Sequence, residues 1–89
     1  MGYRVEIAPA AERQLRKLEK AVQARLASAM RALADDPMPR GARKLSGLDL
    51  LYPLYRIREG DYRIIYEIHR KVLRVLIVKI GHRREVYRG

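Results

Sequence analysis

From Tyr3 to Ala8 apolar and polar residues alternate, with Tyr3, Val5 and Ile7 set against Arg4 and Glu6. A period of two predicts a first strand with one buried face. Pro9 suits the first turn of a helix. Residues 10–35 are rich in Ala, Leu, Arg, Lys, Glu and Gln, all good helix formers. Ala11, Leu15, Leu18, Val22, Leu26, Met30 and Leu33 recur at steps of three or four, one apolar stripe on an amphipathic helix. A single rod of this length would run ~39 Å, long for so short a chain. A break near Glu19-Lys20 buries the stripe better and predicts a helical hairpin. Asp35-Asp36-Pro37-Met38-Pro39-Arg40-Gly41 ends it. Residues 42–50, with Lys44, Leu45 and Gly47, read as a basic connector without a clear period.

Beyond the connector the period returns to two. Tyr52–Arg58, Tyr62–Ile68 and Leu73–Ile80 read as strands. Glu59-Gly60-Asp61 forms the first turn between them. His69-Arg70-Lys71 lies in the second, so His69 reads as a solvated turn residue. Leu73–Ile80 is apolar on both faces, as an interior strand is. A strand, a helical hairpin and three antiparallel strands predict an α+β fold: one domain over residues 1–89, its twisted sheet packed on the helices.

The first hairpin can be registered from its letters. If Gly60-Asp61 is a two-residue turn, with Gly at the first central position, then Glu59 faces Tyr62, Arg58 faces Arg63, Ile57 faces Ile64, Arg56 faces Ile65 and Tyr55 faces Tyr66. Side chains alternate between faces. One face collects Tyr55, Ile57, Ile64 and Tyr66, and the other Arg56, Arg58 and Arg63. A slip of one residue would mix the two sets. Like charges directly opposite cost stability, so Arg58 against Arg63 is either a site for an anion or two guanidinium groups splayed into water over their stems.

Charge strengthens the first of these. The chain of 89 residues holds 20 Lys and Arg against 10 Asp and Glu, a net charge of +10. Residues 52–89 carry ten cations and four acids, against ten and six in residues 1–51. Such a balance points to a polyanionic partner. The 48% hydrophobic content excludes a disordered tail. Cysteine is absent, which removes disulfides, thiolate metal sites and a Cys nucleophile. No stretch approaches ~20 uncharged apolar residues, and the first residues lack the apolar core of a signal peptide. A cytoplasmic protein without membrane, metal or small-molecule cofactor is expected.

The letters also narrow the chemistry. There is no Gly-rich phosphate loop and no His/Asp/Glu group at metal spacing. Ser28 and Ser46 sit in no nucleophile motif. What remains is Arg, His and Tyr near one edge of a sheet: Arg56, Arg58 and Arg63 on the hairpin, and Gly81-His82-Arg83-Arg84 with Tyr87 in the tail. Such a set can cleave RNA without a metal, because RNA carries its own nucleophile, the 2′-hydroxyl. Arginine stabilises the added phosphorane charge but stays protonated. His82 is the nearby group whose ordinary pKa suits acid–base work; the alternative is a backbone hydrogen bond. Tyr87 either stacks on a base or packs on the sheet. Arg58, Lys44 and Arg84 are expected to hold RNA phosphates.

At these residues the chain resembles the RelE/ParE toxin superfamily of type II toxin–antitoxin systems. The resemblance is carried by Leu54-Tyr55-Arg56-Ile57-Arg58-Glu59-Gly60-Asp61-Tyr62-Arg63-Ile64-Ile65-Tyr66-Glu67-Ile68 and Ile80-Gly81-His82-Arg83-Arg84-Glu85-Val86-Tyr87-Arg88. Ala10-Ala11 with Leu15 and Leu18, and Lys44-Leu45 with Gly47, also fit. It implies a RelE-like fold and an mRNA interferase: an endoribonuclease that cuts mRNA in the ribosomal A site, without a metal, leaving a 2′,3′-cyclic phosphate. It implies the ribosome and mRNA as partners, and a cognate RelB-like antitoxin that wraps the toxin. By position, Arg63 falls on the arginine that stabilises the phosphate, and Arg83 on the one assigned to protonate the leaving oxygen. Tyr87 falls on the tyrosine that stacks on the mRNA base. Arg56 stands where well-known RelE proteins place a lysine, and Leu54 where they carry a second basic residue. The ParE branch, which shares the fold and poisons DNA gyrase, is the rival; a catalytically weak nucleic-acid-binding relative is another.

Overall fold

The computed structural model describes residues 2–45 and 52–84. Strand β1 (Arg4–Ile7) leads into helices α1 (Pro9–Arg16) and α2 (Lys20–Ala32), followed by β2 (Arg43–Lys44), β3 (Leu54–Glu59), β4 (Tyr62–His69) and β5 (Arg74–His82). The strands form one sheet in the order β1-β5-β4-β3-β2. β1 runs parallel to β5, and every other pair is antiparallel. The expected α+β architecture is what forms. Its interior strands are β5, β4 and β3.

The helix breaks where the length argument puts it, between Arg16 and Lys20. The corner is held by Gln23, whose side-chain amide donates to the carbonyl of Leu18 at 2.8 Å and to that of Arg16, at the end of α1, at 3.4 Å. Pro9 opens α1, where its missing N–H is no loss. Both helices lay their stripe on one face of the sheet. Ala11, Leu26, Met30 and Leu33 pack against Ile57, Ile64, Tyr66, Ile68, Val75, Ile77 and Ile80. Tyr66 is fully buried there and donates its hydroxyl to the carbonyl of Pro37 at 2.7 Å, pinning the loop after α2. Burial, with Asp36 nearby, pushes its pKa up to about 12.

The β3–β4 register is the one read from the letters, pair for pair from Tyr55↔Tyr66 to Glu59↔Tyr62. Gly60 takes φ 60°, the left-handed conformation the turn needs. On β5 the register slips by one: Ile65 pairs with Lys79 but Tyr66 with Ile77, so Val78 is an extra residue. This bulge resets the alternation. Val75, Ile77 and then Ile80 all enter the core, and Lys79 stays out of it.

Three expectations need correction. The connector contains a two-residue edge strand, β2, too short to show a period. Leu73 does not begin a strand. It follows a 3-10 turn (Arg70–Val72), half exposed with φ 51°, and swings the chain into β5. His69 is not a solvated turn residue. It is the last residue of β4 and is buried, held by Glu67 and Arg74 and stacked on Tyr52.

Candidate functional site

The sheet has one face covered by the helices and one that no helix covers, the open face in that sense, and strand alternation puts Arg56, Arg58 and Arg63 on the latter. Ile65, opposite Arg56 and two residues from Arg63, is buried on the same face. Arg58 and Arg63 sit directly opposite each other, and neither simple resolution of their repulsion applies to both. Arg63 is only 8% exposed, and its Nη1 donates to the carbonyls of Gly60 (3.0 Å) and Tyr62 (2.9 Å). Arg58 is exposed. One guanidinium is thus anchored to the turn by carbonyl dipoles while the other stands in water.

Arg83 reaches the same end of the sheet by way of its backbone. Its N–H donates to the carbonyl of Asp61, in the β3–β4 turn, at 2.8 Å. Arg84 follows, exposed. Arg56 lies one repeat farther along β3, 7% exposed, with a buried Nε that has no hydrogen-bond partner.

The remaining expected residues divide differently. His82 pairs with Tyr62, not with an arginine, because Gly81 takes the place opposite Arg63. Its ring meets Tyr62 edge-on at 5.8 Å and lines a groove with Gln14, Lys17 and Leu18 at the end of α1. Its Nδ1 accepts the N–H of Arg84 at 3.2 Å. The structure therefore puts His82 on the helix side of the sheet, away from Arg56, Arg58 and Arg63. Lys44 is exposed but pairs with Tyr55; the residue opposite Arg56 is Arg43. Arg43, and Arg40 in the preceding loop, were missed by sequence reasoning. The register of β2 was the missing signal. Tyr87 lies outside the described residues. Among the described residues no three His, Asp or Glu side chains converge as a metal site would require, and no helix is long and apolar enough to cross a membrane.

Among the described residues Arg56, Arg58 and Arg63 have no carboxylate partner, and guanidinium groups so placed are suited to phosphate. Comparison with known proteins agrees with the fold that carries it. Residues 5–87 match the family described as the ParE toxin of the type II toxin–antitoxin system parDE. Over 83 residues the chain is 29% identical to a putative RelE-like toxin protein of Escherichia coli, covering 93% of this chain and 85% of that protein. It superposes on a chain of the archaeal RelE–RelB complex from Pyrococcus horikoshii with a TM-score of 0.80 and 35% identity, over 97% of this chain and 100% of that one. A chain of the RelBE2 toxin–antitoxin complex of Mycobacterium tuberculosis matches with a TM-score of 0.80 and 26% identity, over 92% and 99%. The chain belongs to the RelE/ParE superfamily of type II toxin–antitoxin toxins, in its RelE-like branch.

Proposed function

We propose that this toxin is a cytoplasmic, ribosome-dependent endoribonuclease that cleaves mRNA by attack of the 2′-hydroxyl on the adjacent phosphodiester. The observation that supports this most is the meeting of arginines from β3, β4 and the segment after β5 at one turn, with Arg83 tied to Asp61 and Arg63 tied to Gly60 and Tyr62. Cyclisation adds negative charge at phosphorus. Fixed guanidinium groups stabilise that charge without reorganising as it develops. In this reading the O2′–P bond forms as the P–O5′ bond breaks, with the 2′-hydroxyl proton lost to water and the 5′ oxygen protonated from water; Arg63 and Arg56 hold the non-bridging oxygens, Arg83 hydrogen-bonds the leaving 5′ oxygen, and Tyr87 stacks on the base and aligns the nucleophile. Arg58 and Arg84 hold flanking phosphates. The arginines act as charge, not as bases, since they stay protonated. His82, turned to the helix side, is no longer assigned a proton. Relatives solved as RelE–RelB complexes support a RelB-like antitoxin as the partner.

A second reading has its own support. The matching family is described by its ParE toxin, and the arginine cluster on the open face has no imidazole beside it among the described residues. In that case the same fold poisons gyrase and leaves RNA intact. The test is to add the purified toxin to a reconstituted translation reaction and map mRNA ends by primer extension. Cuts inside the reading frame that require ribosomes are expected. Intact mRNA, with double-strand breaks when gyrase and plasmid are supplied instead, selects the ParE reading.

A further inference from the structure

β2 pairs with β3 at Arg43↔Arg56 and Lys44↔Tyr55, and among the described residues no strand pairs with the outer edge of β3 beyond Arg56. Between that edge and α2 runs an open groove of about 460 Å³. Its wall is apolar, formed by Ala29 and Ala32 of α2 and by Ile57. Its polar lining is four arginines, Arg40, Arg43, Arg56 and Arg58. Among the described residues none of the four side chains has a hydrogen bond or an ion pair. Among the described residues, Glu59 is engaged with Arg25 of α2 at 3.7 Å, and Asp36 with the N–H of Met38 at 3.1 Å. Arg56 is nine-tenths buried beneath this groove with its Nε unpartnered.

Four unneutralised guanidinium groups against a low-dielectric wall repel one another, and a buried donor without an acceptor costs the fold more still. An anion with several acceptor oxygens removes both costs. We infer that this groove is a phosphate track, in which Arg40, Arg43 and Arg58 hold the backbone of an RNA strand that runs up to the phosphodiester held by Arg56. Arg56 and Arg58 share a strand face ~7 Å apart, close to the separation of neighbouring phosphates in an extended strand. The track also continues to Arg63, opposite Arg58. Arg40 and Arg43 belong to the groove alone. That the strand is RNA rests on the ribonuclease reading; that the groove takes phosphate does not.

The experiment uses the full chain and a fluorescent 2′-O-methylated uridine octanucleotide, which binds but cannot be cleaved. Arg40→Gln with Arg43→Gln is expected to weaken its binding about tenfold at low salt. The slope of log affinity against log salt should flatten by about 1.4, at ~0.7 for each single-strand phosphate no longer neutralised. Arg13→Gln with Arg70→Gln removes the same charge from exposed positions elsewhere and should change affinity far less. Inorganic phosphate should shift the Arg56 Nε–Hε resonance in a nitrogen–proton NMR spectrum. Equal weakening by the two double variants overturns the proposal, as does an unmoved Arg56 resonance. Phosphate binding with no effect of the groove variant on RNA replaces the strand with a free anion. Undisturbed RNA binding, with binding of a glutamate octapeptide abolished, gives the groove to an acidic protein. Because the probe is not cleavable, a toxin that cuts no mRNA but shows the groove effect defeats the ribonuclease reading and leaves the phosphate track standing.

Discussion

The open face of the sheet carries arginines at both ends, and the two ends treat them oppositely. At the end nearer the β4–β5 turn, both strand arginines have partners. Arg4 pairs with Glu6 (2.8 Å), Arg74 with Glu6 (3.6 Å) and with Nδ1 of His69 (2.8 Å), and the other nitrogen of His69 bonds Glu67 (2.8 Å). Because a guanidinium can only donate, Nδ1 of His69 accepts and Nε2 carries the proton that Glu67 receives. Only Nε of Arg74 is left over. About 20 Å along β4, at the β3–β4 turn, Arg58 has no acid among the described residues and Arg63 has only carbonyls. Same sheet, same face and same residue type thus serve two ends. At one end charge is matched by charge; at the other, among the described residues, it is not.

The sharpest way to break this contrast is to remove one side chain from each end. On the proposed ribonuclease reading, Arg63→Ala deletes a charge held for the transition state and should cut ribosome-dependent mRNA cleavage by about 10²–10³-fold. An unchanged cleavage rate would falsify the site. His69→Ala acts at the other end. It takes the middle out of a buried chain and leaves Glu67 and Arg74 without their shared partner, at a cost of about 2–4 kcal/mol in urea denaturation. Cleavage per folded molecule should stay within twofold. Activity lost with stability retained would erase the distinction between the two ends.

Tyr66→Phe probes the covered face instead. Losing the bond to Pro37 should cost ~1 kcal/mol near neutral pH. The Tyr66 pKa is raised in the fold, to about 12 from an ordinary 10. The fold therefore favours the protonated hydroxyl. That contribution is complete below pH 10 and is lost as pH rises through 12. The stability advantage of wild type over Tyr66→Phe should shrink across this interval, read by parallel denaturation curves; a constant gap would place the hydroxyl in a wetter site than the structure gives it. Smallest of all, Arg4→Ala removes an exposed ion pair and should shift stability by less than ~0.5 kcal/mol. A larger loss would mean that the partnered end works as one network.

Much of this contrast was legible in the letters, and the misses have definite causes. The arginine face of the hairpin was readable because Gly60 fixes a turn and the period of two sorts Arg56, Arg58 and Arg63 from Ile57, Ile64 and Tyr66 in a single register. The helix break was readable from length, although Gln23, which holds it, was not. His69 was misjudged because residues just before a turn are ordinarily wet. Its burial depends on Tyr52, Glu67 and Arg74, two of them on other parts of the chain. Lys44 is expected at the site from the letters and Arg43 is not, since a strand of two residues shows no alternation. Which of the two faces Arg56 is settled only by pairing.

His82 marks the boundary between the two kinds of knowledge. Local order alone determined the first strand, the two helices, the hairpin register and the clustering of cations along the chain, since each follows from steric and hydrophobic rules acting over a few neighbouring residues. The face on which His82 stands was decided by one extra residue on β5. Without the bulge at Val78 the histidine would stand opposite Asp61, on the arginine side, and Ile80 would face Arg63. With it, Ile80 enters the core and His82 turns toward α1. Burying an isoleucine outweighs keeping an unbroken ladder, and that balance exists only once helices and sheet have met.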